Sequence, residues 1–261
     1  MPLELVLVSL GGLGLLVGSF LNVVIHRVPE RVSLVHPGSA CPACGHAVRP
    51  YDNVPVLSWL VLRGRCRDCD EPISARYPLV ELATALLFVL VGAHFRWDTF
   101  TPAALALVAG GVALFMIDLD RQRLPFVVTG VTGALVAVAL VVDAVAGSGF
   151  RLTAVWSALL WLAVYGGVWL LTGGCGMGLG DVALAPVLGL ALGWLGWGPT
   201  LVGLLGGFVV GALVGAALMV LGRAGRRTKV PHGPFMLLGA GLGLFVGEPL
   251  WSAYLGLVGL A

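Results

Sequence analysis

Charged residues are scarce in this sequence. Of its 261 residues only 11% are Asp, Glu, Lys or Arg, whereas 59% are apolar, and the mean hydropathy is +1.01. Soluble domains are about a quarter charged. A chain this apolar has too few polar side chains to cover a water-soluble globule, and it lacks the charge of a disordered protein. The composition therefore predicts a membrane protein.

The low net charge and the small number of cysteines exclude two further classes of protein. The net charge is only +2, which is too small to indicate nucleic-acid binding, so no nucleic-acid partner is expected. The five cysteines are too few for a disulfide scaffold. Glycine is abundant instead, with 39 residues, as suits closely packed membrane helices. The expected surroundings are a lipid bilayer.

Long apolar runs divide the chain. A helix needs about 17 to 25 apolar residues to span a bilayer. Eight such runs are present: about 4–26, 79–95, 101–118, 126–145, 153–172, 182–198, 199–221 and 234–258. The turn between the sixth and seventh, Gly196-Trp197-Gly198-Pro199, has almost no polar content. The predicted class is an all-α polytopic membrane protein with about eight transmembrane helices.

The predicted organisation has three parts. A first transmembrane helix, 1–26, is followed by a polar insert, 27–78, and by a membrane core, 79–261, with seven helices. Positive charge follows the first apolar run rather than preceding it. A secretory signal peptide has the opposite order, so we expect a retained helix that enters with its N-terminus outside.

The positive residues predict the orientation. With eight spans, the segments expected in the cytosol hold thirteen Lys and Arg residues, against two, Arg96 and Arg151, on the external side. The thirteen are Arg27, Arg31, Arg49, Arg63, Arg65, Arg67, Arg76, Arg121, Arg123, Arg223, Arg226, Arg227 and Lys229. Short cytosolic loops are enriched in positive charge. An odd number of helices would scatter these charges over both faces.

The insert carries two cysteine pairs. Cys41-Pro-Ala-Cys44 is separated by 21 residues from Cys66-Arg-Asp-Cys69, a spacing typical of a tetrahedral zinc site. About fifty residues bury too little core to be stable alone, and a structural metal is a common remedy. Four reduced cysteines without a role, or a redox pair, are the alternatives. We expect a cytosolic, zinc-ribbon-like insert with a structural Zn²⁺.

Acidic residues within or beside the apolar runs are informative because an ionised side chain at the bilayer centre costs about 2.5–3.5 kcal/mol on insertion scales. Asp143 and Glu248 fall near the external ends, where water can solvate them. Asp118 ends the third run and Asp181 begins the sixth, so the topology puts both at one membrane depth. The full set is Glu81, Asp118, Asp120, Asp143, Asp181 and Glu248.

Two interpretations of this pair stay open on these features alone. Asp181 follows a glycine turn and is suited to cap a helix, while Asp118 and Asp120 beside Arg121 and Arg123 are compatible with a solvated helix end. The alternative is an aspartyl dyad. Two carboxyl groups would share one proton, the ionised one activating water and the protonated one polarising a carbonyl group.

The motifs as a set resemble a known family, the bifunctional type IV prepilin peptidases, which are bacterial membrane aspartyl proteases and N-methyltransferases. The resemblance covers nearly the whole chain. It rests on Gly18-Ser-Phe-Leu-Asn-Val-Val-Ile-His-Arg-Val-Pro29, the Cys41/Cys44 pair, Asn53-Val-Pro-Val-Leu-Ser-Trp-Leu60, Leu62-Arg-Gly-Arg-Cys66, Ile73-Ser-Ala-Arg-Tyr-Pro-Leu-Val-Glu-Leu82, Ile117-Asp118, Gly178-x-Gly-Asp181 and Pro231-His-Gly-Pro-Phe235.

The resemblance implies a concrete function. Such enzymes cut the basic leader from prepilins or pseudopilins on the cytosolic face of the bacterial inner membrane, then methylate the new N-terminus with S-adenosylmethionine. The family's catalytic aspartates fall on Asp118 and Asp181. Its methylating activity is linked with the polar insert, which gives Cys41, Cys44, Cys66 and Cys69 at least a structural role there. No glycine-rich nucleotide-binding fingerprint is present, so the cofactor-binding residues stay unassigned.

Two positions depart from the family pattern. The chain has Phe126 where Leu-Pro-Asp is usual, and Ala183 where Asp-Val-Lys is usual. An acid and a base that often flank the dyad are therefore both absent, which leaves the local net charge unchanged. The departures bear on the tuning of the dyad and on substrate preference.

Three other functions remain as alternatives. The chain could be a peptidase without methyltransferase activity, or a non-catalytic membrane assembly factor of the same fold. A small transporter using Glu81, Asp118 and Asp181 as an ion path is the third. Transporters carry ionisable groups near the bilayer midplane, whereas both aspartates fall at the expected cytosolic edge.

Overall fold

The structure is a computed structural model that describes residues 2–96, 98–175, 177–222 and 231–259. Within these ranges the chain forms helices and turns, and the only β-structure is two isolated bridges, Ala40–Ala47 and Arg65–Pro72, in the insert. Four of the residues used to predict orientation, Arg223, Arg226, Arg227 and Lys229, lie outside the described residues.

The helices match the predicted apolar runs. Among the residues that the structure describes, seven helices are long and apolar enough to cross a membrane, and α7 is a shorter apolar helix of 17 residues. The prediction of an all-α polytopic membrane protein with about eight spans is therefore confirmed. The helices are α1 (Leu3–Arg27), α2 (Leu57–Val61, in the insert), α3 (Arg76–Phe95), α4 (Thr101–Arg121), α5 (Phe126–Asp143), α6 (Leu152–Leu171), α7 (Leu179–Leu195), α8 (Trp197–Val220) and α9 (Gly233–Leu257).

The break between α7 and α8 lies earlier than predicted. We expected it after residue 198, but α7 ends at Leu195 and α8 begins at Trp197. Gly196 between them has a φ of 130°, a conformation that side chains disfavour. Pro199 lies in the first turn of α8, where its missing N–H has no helical acceptor to lose. The helix α8 therefore begins two residues before Pro199, the residue predicted to start it.

The chain forms two compact units, Met1–Thr101 and Pro102–Ala261. In the first, α1 packs along α3 through two glycines one turn apart. A Cβ on Gly14 would lie 2.6 Å from the Cα of Ala85, and one on Gly18 would lie 2.7 Å from the Cα of Glu81. Small residues four apart allow this approach. The division at residues 26 and 78 stays a prediction.

In the second unit, α8 and α9 pack through facing rows of glycines. The rows repeat every fourth residue, as Gly203, Gly207 and Gly211 on α8 and as Gly239, Gly243 and Gly247 on α9. A Cβ on Gly239 would lie 2.6 Å from the Cα of Gly207, and one on Gly247 would lie 2.6 Å from the Cα of Pro199. The two backbones are therefore in direct contact, and the start of α9 is fixed against α8.

Buried polar side chains in this unit pair with one another. Ser157 on α6 and Thr200 on α8 share a hydrogen bond of 2.8 Å. Asp143, expected to be solvated near an external end, is instead buried and accepts a hydrogen bond from the indole N–H of Trp194. That expectation was wrong because Trp194 is 51 residues away in sequence and its contact is visible only in the fold.

The glycine rows predict a difference between two alanine substitutions on α9. Gly239→Ala should destabilise the protein by about 1–3 kcal/mol, since the new methyl group has no space. Gly241→Ala should be neutral or slightly stabilising, because nothing lies within 4 Å of its Cβ position and Ala favours helix. Thermal unfolding in detergent measures both. Equal melting temperatures for the two variants would contradict the packing.

Candidate active site

Asp118 lies in the last turn of α4, and its side chain is buried, with 4% exposure. Its Oδ2 accepts a hydrogen bond of 3.1 Å from the backbone N–H of Gly233, the first residue of α9. The first N–H groups of a helix have no acceptor within the helix, and they favour negative charge. Gly233 also leaves space for the carboxylate, because a Cβ there would lie 2.6 Å from Oδ2.

Asp181 is the third residue of α7 and is 7% exposed. Its Oδ2 accepts a hydrogen bond of 2.9 Å from the backbone N–H of Gly178, the residue that precedes the helix. The interpretation of Asp181 as the N-cap is therefore wrong, since Gly178 holds that position. A carboxylate three residues into a helix reaches back to the N-cap N–H instead.

The two aspartates meet in one site. Gly180 next to Asp181, and Gly233, which binds Asp118, both pack against the same residue. The turn between α4 and α5 packs against both helix starts through Leu124. A Cβ on Gly180 would lie 2.8 Å from the Cβ of Leu124, and one on Gly233 would lie 3.1 Å from its Cδ1. The second unit thus contains a buried pair of carboxyl groups at the adjoining ends of three helices.

Asp120 and the two positions that differ from the family pattern, Phe126 and Ala183, do not change the charge of this pair. Asp120 is exposed, two residues beyond Asp118 on the same helix. Phe126, the first residue of α5, is 62% exposed, and Ala183 is half-buried in α7. The two departures from the family pattern therefore add no charge to the carboxyl pair.

Three contributors to the site are not evident from the sequence. The N–H groups of Gly178 and Gly233 are backbone donors, which no residue pattern displays. Tyr165 on α6 is fully buried, and a Cβ on the next residue, Gly166, would lie 3.9 Å from Val182, the residue after Asp181. Because α6 also carries Thr153 and Ser157, nothing in its sequence singles out Tyr165.

The four insert cysteines form a second cluster, in the first unit. The sulfur atoms of Cys41, Cys44, Cys66 and Cys69 all lie within 4.8 Å of one another, and those of Cys41 and Cys69 are 3.7 Å apart. Tetrahedral zinc at about 2.3 Å from each sulfur places the sulfurs about 3.8 Å apart. The donor set and its spacing therefore fit Zn²⁺.

Each cysteine pair lies on a similar turn. The residue after the second cysteine has a left-handed backbone in both, with φ of 73° at Gly45 and 56° at Asp70. Backbone N–H groups, first that of Cys44, lower the pKa of the Cys41 thiol to about 7. At Cys69 the Glu71 N–H acts in the same direction, but desolvation and the three neighbouring thiols outweigh it and raise the pKa to about 12. A cation bound between the four sulfurs would favour the thiolate form of all of them.

Ion pairs join the second cysteine turn to the segment that precedes α2. Arg67 of the second turn pairs with Asp52 at 2.6 Å, and Arg49 pairs with Asp68 at 2.8 Å. The hydrogen bond from Arg67 lowers the pKa of Asp52 below its usual value. Exposed pairs contribute little individually, but the two together tie residues 49–52 to the second cysteine turn.

Glu81 binds the insert to α3. This buried carboxylate accepts a hydrogen bond of 2.7 Å from the backbone N–H of Val56, whose φ is 62°. A valine in that conformation is strained, so the contact supports an unfavourable turn. Its engagement with the insert weakens the interpretation of Glu81 as part of an ion path.

Two family profiles match the chain. The profile described as "Bacterial Peptidase A24 N-terminal domain" matches residues 13–95, and the one described as "Type IV leader peptidase family" matches residues 105–220. The first match contains the insert, and the second contains both Asp118 and Asp181. No solved structure matches the chain.

Curated relatives are similar over nearly the full length. A Pseudomonas aeruginosa protein named "Prepilin leader peptidase/N-methyltransferase" is 38% identical, covering 99% of this chain and 96% of the relative. An Aeromonas hydrophila protein of the same name is 38% identical, covering 92% and 91%. One from Myxococcus xanthus is 45% identical, covering 83% and 64%. By its sequence, its matched profiles and its multi-pass fold, the chain belongs to the type IV leader peptidase family.

Proposed function

We propose that this protein is a prepilin leader peptidase that also methylates its product. It cleaves the basic leader of prepilins or pseudopilins, and it then transfers a methyl group from S-adenosylmethionine to the new N-terminal amine. The observation that carries the peptidase activity is the buried pair Asp118 and Asp181, each with one oxygen held by a backbone N–H. The names of the full-length relatives support both activities.

Asp118 and Asp181 together supply the acid and the base for hydrolysis. The ionised carboxylate takes a proton from water, whose oxygen attacks the carbonyl carbon of the scissile bond. The other carboxyl group donates its proton to the carbonyl oxygen. The carbon–nitrogen bond of the tetrahedral intermediate then breaks, and the first carboxyl group gives the nitrogen the proton taken from water, so that it leaves as an amine. The second carboxylate takes back a hydroxyl proton, which leaves a new carboxyl terminus and restores the pair. The N–H groups of Gly178 and Gly233 each hold Oδ2 of one carboxyl group, which leaves the two Oδ1 atoms for these proton transfers.

The active site is proposed to face the cytosol at the inner membrane. Arg121 and Arg123 flank the end of α4 that carries Asp118, and the insert is rich in arginine. Positive charge marks the cytosolic side of a membrane protein. This orientation suits a substrate whose basic leader stays in the cytosol.

The insert is proposed to hold one structural Zn²⁺ on its four thiolates. The sulfur spacing fits tetrahedral coordination, and the closed set leaves no open position for a reacting water. S-adenosylmethionine would supply an electrophilic methyl group when bound. We assign no residue to it, since no described residue singles out a pocket for this cofactor.

Asparagine at either dyad position should abolish cleavage. Asp118→Asn and Asp181→Asn preserve shape but remove the shared proton and the base, so each should lower the rate below about a thousandth of wild type. The measurement is the mobility shift of a prepilin in membranes, with expression checked by blot.

Asp120→Asn is the matched control, because its carboxylate is exposed on the same helix end and should be dispensable. Normal processing by a well-expressed Asp181→Asn variant would contradict the aspartyl mechanism. An inactive Asp120→Asn beside an active Asp118→Asn would show that the wrong carboxylate had been chosen.

The proposed zinc site can be tested by measuring the metal content of the purified protein. Purified protein should carry about one zinc per chain, and Cys41→Ser or Cys69→Ser should lose it, after which the insert should become protease-sensitive. Cys175→Ser is the control, since this exposed cysteine lies outside the cluster. Metal-free wild-type protein with a protease-resistant insert would oppose the proposal.

Cleavage and methylation can be tested separately by supplying or withholding S-adenosylmethionine. Hydrolysis needs only water, whereas methyl transfer needs S-adenosylmethionine and a free amine. Wild-type protein without the cofactor should give mature, unmethylated pilin, and with it the methylated form. Mass spectrometry of the processed N-terminus distinguishes them. An unmethylated product in the presence of the cofactor would leave the protein a peptidase only.

A further inference from the structure

Two polar atoms beside the carboxyl pair are buried without a hydrogen-bond partner among the described residues. They are the hydroxyl oxygen of Tyr165 and Nε2 of His232. Tyr165 has no exposed surface at all. His232 immediately precedes Gly233, whose N–H binds Asp118. Neither side chain has a part in the hydrolysis described above.

The two side chains belong to one cluster. Their rings are 5.7 Å apart, and each also packs against Phe208 of α8, at 5.2 Å for Tyr165 and 5.6 Å for His232. The hydroxyl of Tyr165 lies beside Gly207, 3.4 Å from the position of a Cβ there. The cluster therefore reaches Asp118 through the start of α9. Tyr165 lies at the depth of Asp181, because a Cβ on the next residue, Gly166, would lie 3.9 Å from Val182 of α7.

Leaving both atoms unpaired is energetically unfavourable. A buried donor or acceptor without a partner loses its hydration and gains nothing in return. Buried water usually joins two to four polar groups of this kind. Burial lowers the pKa of His232, so the imidazole is neutral at neutral pH and its Nε2 can donate or accept a hydrogen bond.

We propose that the Tyr165 hydroxyl and His232 Nε2 together bind an ordered water next to Asp181, and that they act as positioning residues for the dyad. This inference rests on the proposed peptidase function. The bound water completes the hydrogen bonds of both side chains and orients the free face of the Asp181 carboxyl group. It does not itself attack the substrate.

The test compares steady-state cleavage of a prepilin peptide by the full-length protein in detergent. Tyr165→Phe removes one oxygen and keeps the ring, and His232→Phe keeps an aromatic ring in the cluster. Each should lower kcat about tenfold or more with little change in KM, because the substrate still binds. The double variant should lose no more than the worse single one, since both side chains hold the same water.

Conservative rescue separates positioning from packing. His232→Gln keeps a polar group near the position of Nε2 and should recover part of the activity that His232→Phe loses. A role in packing alone would give the opposite order, because phenylalanine fills the aromatic cluster better than glutamine does.

Ser157→Ala and Thr200→Val provide the matched control. This buried hydroxyl pair lies on the same two helices, α6 and α8, eight residues from Tyr165 and Phe208, or about 12 Å along each helix. Both changes should lower the melting temperature and leave kcat unchanged. A similar loss of kcat in these variants would attribute the Tyr165 effect to general destabilisation and overturn the inference.

Other outcomes would also contradict it. Wild-type kinetics for Tyr165→Phe and His232→Phe would remove the positioning role. A raised KM with unchanged kcat would place the hydroxyl on the substrate rather than on water, and fully multiplicative losses in the double variant would show that no ligand is shared. Failure of the wild-type protein to cleave any prepilin would instead contradict the proposed function.

Discussion

Polar groups at membrane depth must find their partners inside the protein, because hydrocarbon offers none. This constraint decides where a carboxyl pair can stand in this chain. Most backbone N–H groups are committed to their own helix, and only those at helix starts are available. Asp118 and Asp181 accordingly take their donors from Gly233 and Gly178, at the starts of α9 and α7. Shifting either helix start by one turn would leave a buried carboxylate without a donor.

Packing of the glycine rows of α8 and α9 places the backbone donor that Asp118 needs. The donor at Gly233 is useful only if α9 begins at the right depth and distance from α4. Close contact of Gly239 with Gly207 fixes α9 along α8, and the aromatic rings of Phe208 and His232 fill the end of that interface. Interior helix contacts far from the carboxylates therefore determine the hydrogen bond that one of them receives.

The sequence allowed the spans, the cysteine cluster and the aspartate pair to be predicted, because each follows from residue type and spacing. Hydropathy marks the spans, four thiols mark a metal site, and matching depth marks Asp118 and Asp181. The sequence could not show which backbone N–H groups act as donors, such as that of Gly178, because every residue except proline carries such a group. Nor could it show the partner of Asp143, because Trp194 meets it only after both helices have packed.

The carboxyl pair and the insert lie in different surroundings, one buried and the other exposed, and the chain stabilises each in a different way. Hydrolysis by a carboxyl pair needs burial, so that one proton is held between two groups that water would otherwise ionise. The insert is largely exposed, and ion pairs and a cluster of four cysteines take the place of a core there. Methylation in turn needs a nucleophilic nitrogen, and a peptide nitrogen becomes one only when its carbonyl bond is broken. The order of cleavage and methylation is therefore set by the substrate, and no regulatory device in the protein is required to enforce it.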